Sequence, residues 1–410
     1  MNSKKSFISV YNLIFLFLSI VWTPLQIYYL HVDGAKLTLL VLGIVAILFN
    51  LRELRKNKDV FKSSAFICWF LLVLYSFINS MIKGVNAETS FFNFIRANFL
   101  SPFVFLMIAM IELNRDKEKG LKVIMIAQLF YLIIGVLHIS SVLYERAGAS
   151  ELGNALPLMS VCVVFVTGVL FVDRELKWGW RFFGAVFVFA LTIIIVCATR
   201  KALGALIVIF IGIVLGKSKK IDIRSTFIVL LISVFLVIGG KWVMNNTLIG
   251  ERIAESEEQF YYPLSSNPKI NNFLMVLLGD RSYQYYTCLE SYHKHPITGV
   301  GIYNYMTVQE ERVRLHSEYL VQLYENGLVG IALLFLFYTM LFLGLNRKKK
   351  TGKNIMAYLF GVLSVLFINL TSWTYDRQYV MIIYAILFIE IYSKNTNDEI
   401  SYTSPHGELQ

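Results

Sequence analysis

Charge is scarce in this chain of 410 residues. Asp, Glu, Lys and Arg make up 16% of it, against about 25% in an ordinary soluble domain, which excludes one core wrapped in a solvated surface. Cysteine is nearly absent. Cys68, Cys162 and Cys197 fall in apolar runs, Cys288 stands alone in a long connection, and no pair has the spacing of a disulfide or a zinc site. No structural disulfide and no zinc are expected. Low-complexity tracts and clear internal repeats are missing, so no repeat array is expected. No cleavable leader is expected: the first apolar run, Phe7–Leu30, is too long for a signal peptide and lacks a small-residue cleavage site, and it reads as a spanning helix.

What fills the chain instead is apolar sequence: 57% of residues are hydrophobic and the mean hydropathy is +0.61. It comes in repeated runs near the roughly 17–25 residues that cross a bilayer. The runs are Phe7–Leu30, Leu37–Leu51, Phe61–Ile82, Ala97–Leu113, Leu121–Tyr144, Leu152–Val172, Trp180–Ala198, Ala202–Gly216, Ile223–Met244, Glu318–Leu345, Ile355–Ser372 and Tyr379–Tyr392. Backbone amides inside hydrocarbon must pair within the segment, so each run is expected to be a helix. The expected fold class is an all-α integral membrane protein of about twelve transmembrane helices.

The net charge of +11 tests that reading. In a soluble protein it would point to nucleic acid; here the positive residues are read as holding cytoplasmic loops against anionic lipid, with no nucleic-acid partner. Alternate short connections carry Lys4 and Lys5; Arg52, Arg55, Lys56, Lys58 and Lys62; Arg115, Lys117, Lys119 and Lys122; Arg174, Lys177 and Arg181; Lys217, Lys219, Lys220 and Arg224; and Arg347 to Lys350 with Lys353. The connections between them have almost none, so both termini are expected in the cytoplasm. The resulting organisation is helices one to nine over 1–244, an extracytoplasmic loop over 245–317 that is partly helical, helices ten to twelve over 318–393, and a polar, disordered cytoplasmic tail over 394–410.

Two places break the alternation. One is Thr199-Arg200-Lys201, a basic pair in an outward turn. The span that follows, Ala202–Gly216, is only about 15 residues, or roughly 22 Å, short of a ~30 Å hydrocarbon core. Arg200 and Lys201 therefore sit just below the outer surface on a helix N-terminus, where unpaired N–H groups and the positive dipole end attract a phosphate or pyrophosphate. The bland alternative is a snorkelling arginine that meets a lipid headgroup.

The other is the long loop. It closes on Leu315-His316-Ser317-Glu318-Tyr319-Leu320. His316 at an outward helix start would be held neutral by the dipole and can take a proton from a hydroxyl; the alternative is a capping histidine. Earlier in the loop, Arg281, Tyr285, Leu289 and Tyr292 fall at helical spacing, and His295-Pro296-Ile297-Thr298-Gly299-Val300-Gly301 ends that segment in a turn. Arg281 suits bidentate contact with phosphate oxygens, or is merely solvated. Arg312, Arg314 and Arg377 are weaker candidates for phosphate or acidic-sugar contacts. Carboxylates on the short outer loops are few (Asp33, Glu88, Glu145, Glu151, Asp376), too dispersed for a cation site. No metal and no other cofactor are expected.

The order of these motifs resembles the O-antigen polymerase and O-antigen ligase superfamily. The resemblance rests on Thr199-Arg200-Lys201-Ala202-Leu203, Arg281, His295 to Gly301, His316 to Leu320, and Glu325-Asn326-Gly327-Leu328-Val329-Gly330, within about Ile193 to Leu334. Elsewhere only hydropathy and topology match. Threonine at 199 replaces the serine of many members, and Ser317 replaces an asparagine; neither removes a charged group. The resemblance implies a C-type glycosyltransferase fold in the bacterial inner (cytoplasmic) membrane, with the active site on the extracytoplasmic side. The implied substrate is an undecaprenyl-pyrophosphate-linked oligosaccharide. Arg200, Arg281 and His316 are then the catalytic set, and Lys201, Arg312, Arg314, Tyr285 and Tyr319 bind substrate. Membrane lipids surround the chain, and a chain-length-determining co-polymerase is a candidate partner. Polymerisation of repeat units is the preferred activity; ligation of polymer to a lipid A core is the alternative, and a flippase is a third reading.

Overall fold

The computed structural model describes residues 2–25, 35–56, 60–83, 95, 99–139, 151–173, 179–197, 199–217, 267–269, 285, 288, 295–301, 306–308, 311–313, 315, 317–350, 355–370, 372 and 377–392. The helices are α1 (Asn2–Leu25), α2 (Ala35–Lys56), α3 (Ser64–Lys83), α4 (Ser101–Arg115), α5 (Lys117–Leu137), α6 (Glu151–Val172), α7 (Gly179–Val196), α8 (Arg200–Lys217), α9 (Glu318–Lys350), α10 (Met356–Asn369) and α11 (Gln378–Tyr392). They follow the apolar runs, with ends shifted by a few residues. The run Ile223–Met244 and the tail 394–410 lie outside the described residues.

Among the described residues, five helices are long and apolar enough to cross a membrane: Ser64–Lys83, Lys117–Leu137, Ala155–Val172, Gly179–Val196 and Glu318–Lys349. Phe7–Trp22, Met356–Asn369 and Tyr379–Tyr392 are shorter apolar helices. The protein is a helical membrane protein. Among the described residues, β1 (Met306–Val308) pairs antiparallel with β2 (Glu311–Val313), Thr307 opposite Arg312. Both strands fall in the long loop, expected to be only partly helical. The β-branched Thr307, Val308 and Val313 favour extended backbone there.

The core runs through the whole bundle. α6 is apolar on every side and buried from Leu156 to Leu170, as a helix without a polar face must be. Close approach between α8 and α10 is made by glycines. A Cβ at Gly204 would lie 2.3 Å from the Phe367 ring and one at Gly212 2.2 Å from Phe360 Cβ, the small-residue packing that brings helices together in lipid. These pairings run antiparallel, so the start of α8 meets the end of α10.

Two buried polar clusters tie the other end of the bundle. Glu112 on α4 accepts from Asn12 Nδ2 at 2.6 Å and Ser9 Oγ at 2.8 Å, and pairs with Arg115; Asn50 of α2 donates to Asn12 Oδ1 at 2.9 Å. Asp116 then caps α5, accepting the Lys119 N–H at 3.0 Å. Lys117 meets Asp173 at 2.5 Å, Glu390 at 3.1 Å and the Tyr358 hydroxyl at 2.7 Å, joining α5, α6, α10 and α11.

α9 corrects the single-span expectation for Glu318–Leu345. Gly327 interrupts it with φ 64° and ψ −158°, and the chain reverses. The Tyr319 and Phe335 rings stack with centroids 6.2 Å apart, although sixteen residues of straight helix would separate them by roughly 24 Å. Ser317 Oγ donates to the Asn369 carbonyl at 3.1 Å, while Asn369 Nδ2 donates to the Tyr338 hydroxyl at 2.7 Å. Residues 318–326 thus form a re-entrant arm folded back on the spanning arm 328–350. The latter, about 34 Å long, is long enough to cross a bilayer.

Candidate functional site

α8 begins where Thr199, buried, accepts the Leu203 N–H on its carbonyl at 3.1 Å. Arg200 is its first residue and Lys201 its second. Lys201 Nζ reaches Ser372 Oγ at 3.3 Å, beyond the end of α10. The Ser372 carbonyl in turn accepts the N–H of Glu318, the first residue of the re-entrant arm, at 3.1 Å. The basic helix start and the segment next to His316 are therefore brought together across one turn, although 117 positions separate Lys201 from Glu318.

The same turn receives the long loop. The Tyr285 hydroxyl lies 2.7 Å from the Leu370 carbonyl oxygen and 2.9 Å from Ser317 Oγ. Tyr285 and Cys288 have helical backbone, and both pack in a small cluster with Leu315, Leu320 and Val321. Burial pushes the Cys288 thiol up to about 12, which disfavours the nucleophilic thiolate at neutral pH. The Tyr319 hydroxyl donates to the Leu366 carbonyl at 3.1 Å.

A further helix start is that of α11. The Arg377 carbonyl accepts the N–H groups of Val380 and Met381, each at 3.0 Å, opening α11. Cys162 Sγ donates to the Tyr379 carbonyl at 3.2 Å, which sets this start beside the middle of α6. Two helix N-termini, at Arg200 and Glu318, thus meet by the end of α10, and α11 starts at Gln378 beside the middle of α6. Each carries the positive end of its helix dipole. Arg200 and Lys201 stand at the first of them, so the junction is suited to an anion.

The sequence-predicted residues are distributed as follows. Lys201, Tyr285 and Tyr319 stand at the junction. Arg200 opens α8, and Arg312 lies on β2 opposite Thr307. Arg281, Arg314 and His316 lie outside the described residues. One expectation changes: the helix after His316 starts at this interior junction and runs back to Gly327, instead of leading directly across the bundle from its surface.

Sequence reasoning missed how two motifs interlock. The turn 295–301 is spliced into the break at Gly327. Val300 and Gly301 donate to the Tyr324 and Glu325 carbonyls at 3.0 and 2.8 Å, while Leu328 and Val329 donate to Pro296 and Ile297 at 2.9 and 3.3 Å. Asn79 of α3 donates to both sides, to the Thr298 carbonyl at 2.7 Å and the Glu325 carbonyl at 2.9 Å. The signal for Asn79 was present: Ser76, Asn79 and Ser80 are polar positions inside an apolar run, and such residues rarely face lipid.

A basic helix start packed against a second helix start beside a helix end is chemically suited to an anion. Residues 185–335 match the family model described as O-antigen ligase, a region running from α7 through α8 and the loop to the spanning arm of α9. The match supports the O-antigen ligase/polymerase superfamily and implies a glycosyltransferase-like enzyme. A search of curated proteins finds no match.

Proposed function

We propose that the protein polymerises undecaprenyl-pyrophosphate-linked oligosaccharide repeat units into O-antigen, capsular or exopolysaccharide by metal-independent, inverting glycosyl transfer. The observation that carries this reading is the meeting of the α8 and α9 starts, with Lys201 on the Ser372 side chain and the Glu318 N–H on its carbonyl.

Arg200 and Arg281, helped by Lys201, hold the donor pyrophosphate, with Arg312 and Arg314 contributing further positive charge. Each such donor is worth about 3 kcal/mol when it stabilises charge that develops as the leaving group departs. His316 takes the proton of the acceptor hydroxyl. The hydroxyl oxygen bonds to the anomeric carbon, the bond from that carbon to the pyrophosphate oxygen breaks, and the lipid diphosphate leaves with the electron pair. Attack from the opposite face inverts the anomeric centre. Tyr285 and Tyr319 bind through ring surfaces, since their hydroxyls engage backbone carbonyls.

In this reading the chain has twelve spans, both termini are cytoplasmic, and the junction lies toward the extracytoplasmic side of a bacterial inner membrane. The positive-inside pattern supports this. So does the placement of the Glu112 and Lys117 clusters, which lie at helix ends away from the junction. The family's description as ligase favours a second reading, in which the acceptor is a sugar of the lipid A core. A deletion strain separates them: single-repeat glycolipid marks a polymerase, full-length unattached polymer a ligase. Arg200→Ala or His316→Ala, returned to that strain, should reduce product by roughly 100-fold or more. Polymer of native length and amount would refute the assignment.

A further inference from the structure

A buried polar ladder runs the length of the re-entrant arm. Gln322 Nε2 donates to Glu318 Oε1 at 2.8 Å, and Asn326 Nδ2 donates to Gln322 Oε1 at 2.9 Å and to Ser76 Oγ at 3.0 Å. Asn79 Nδ2 lies 3.4 Å from Asn326 Oδ1 while bonding the Thr298 and Glu325 carbonyls. Glu318, Gln322, Asn326, Ser76 and Asn79 are all at most 5% exposed.

The ladder has a direction. Glu318 Oε1 accepts from the Gln322 nitrogen, which leaves the Gln322 oxygen facing Asn326. Asn326 then presents its oxygen to Asn79, whose nitrogen is the last donor. Such a chain holds each amide in one orientation, and in a low-dielectric interior an unmade partner is costly. Its two ends matter differently. One is the Ser317–Glu318 start at the junction; the other, roughly 12 Å away along the arm, is the splice between the 295–301 turn and the Gly327 break. Asn79 lies on α3, outside residues 185–335.

We propose that Asn79 is a positioning residue: by clamping the Thr298 and Glu325 carbonyls and ending the ladder, it sets the re-entrant arm and so places the 316–318 segment for transfer. The inference rests on the glycosyl-transfer reading above. Asn79 touches neither donor nor acceptor, so its loss should slow the chemical step and leave pyrophosphate binding intact.

The test uses full-length protein in detergent, normalised to its monodisperse folded fraction. The substrate is lipid-linked oligosaccharide extracted from the deletion strain, and undecaprenyl pyrophosphate itself is the binding probe. Asn79→Ala should lower kcat roughly 10- to 100-fold, the cost of misplacing a reacting group by about 1 Å. Its affinity for undecaprenyl pyrophosphate should stay near the native value. Asn79→Asp keeps the size, replaces the donor by acceptors, and should behave alike. Joining the exposed Ile297→Cys and Leu328→Cys positions by a disulfide in the Asn79→Ala protein should recover kcat, and reduction should abolish the recovery. Native kcat in both Asn79 variants overturns the inference, as does an equal loss of kcat and binding. If Arg200→Ala in the same assay keeps native activity, the transfer reading fails, whatever Asn79 does.

Discussion

Gly327→Ala is the sharpest single perturbation of the re-entrant arm. At φ 64° and ψ −158° the residue occupies backbone space that essentially only glycine adopts, and a side chain there costs about 1–3 kcal/mol in strain alone. The added Cβ would also lie 2.3 Å from the Ile297 carbonyl oxygen and 2.7 Å from the Gly299 nitrogen. Those are backbone atoms held by the splice and cannot rotate aside. Relief requires opening bonds such as Val300 N–H to Tyr324 and Gly301 N–H to Glu325, each worth about 1 kcal/mol net. The sum is on the order of 3–5 kcal/mol. In detergent this should lower the midpoint of thermal unfolding by several degrees, given about 2–4 °C per kcal/mol for domains of 150–250 residues and less for longer chains. Gly184→Ala is the control: nothing lies within 4 Å of its Cβ, and alanine in mid-helix is favoured by up to about 1 kcal/mol. Scanning fluorimetry of both, with size-exclusion profiles, decides the matter. A Gly327→Ala protein as stable as the control would mean that the reversal at Gly327 is wrong.

Other outcomes follow from the opposite end of the bundle and from the loop. Lys117→Met should destabilise by about 3 kcal/mol, because the Asp173 and Glu390 carboxylates would be left facing one another without their cation; Asp173→Asn with Glu390→Gln added should recover much of the loss, read as unfolding midpoints. Cys288, fully buried with a raised thiol pKa, should resist maleimide at pH 7 to 8 until the protein is unfolded, and rapid labelling of the native protein would contradict its burial beneath Leu320.

Much of the architecture was legible without tertiary information. The apolar runs, near the length a bilayer demands, are local properties of the chain, and the described helices form on them. The Arg200–Lys201 pair stood out as charge where the alternation leaves none, and Lys201 does stand at the junction. The reversal inside Glu318–Leu345 was not legible: Glu318, Gln322, Glu325 and Asn326 mark 318–326 as more polar than the arm after Gly327, but Asn326 and the Glu325 carbonyl find partners on another helix. Nothing in local periodicity separates a kink from a reversal.

Sequence alone determined that this chain is a helical membrane protein with a basic turn and a motif-bearing loop, because hydropathy and charge act position by position. Only the folded molecule decided that the loop's glycine turn is spliced into a broken helix, that Asn79 clamps the splice, and that the starts of α8 and α9 meet at Ser372. Those are hydrogen bonds between residues up to 246 positions apart, as from Asn79 to Glu325, and their geometry exists only once the helices have packed.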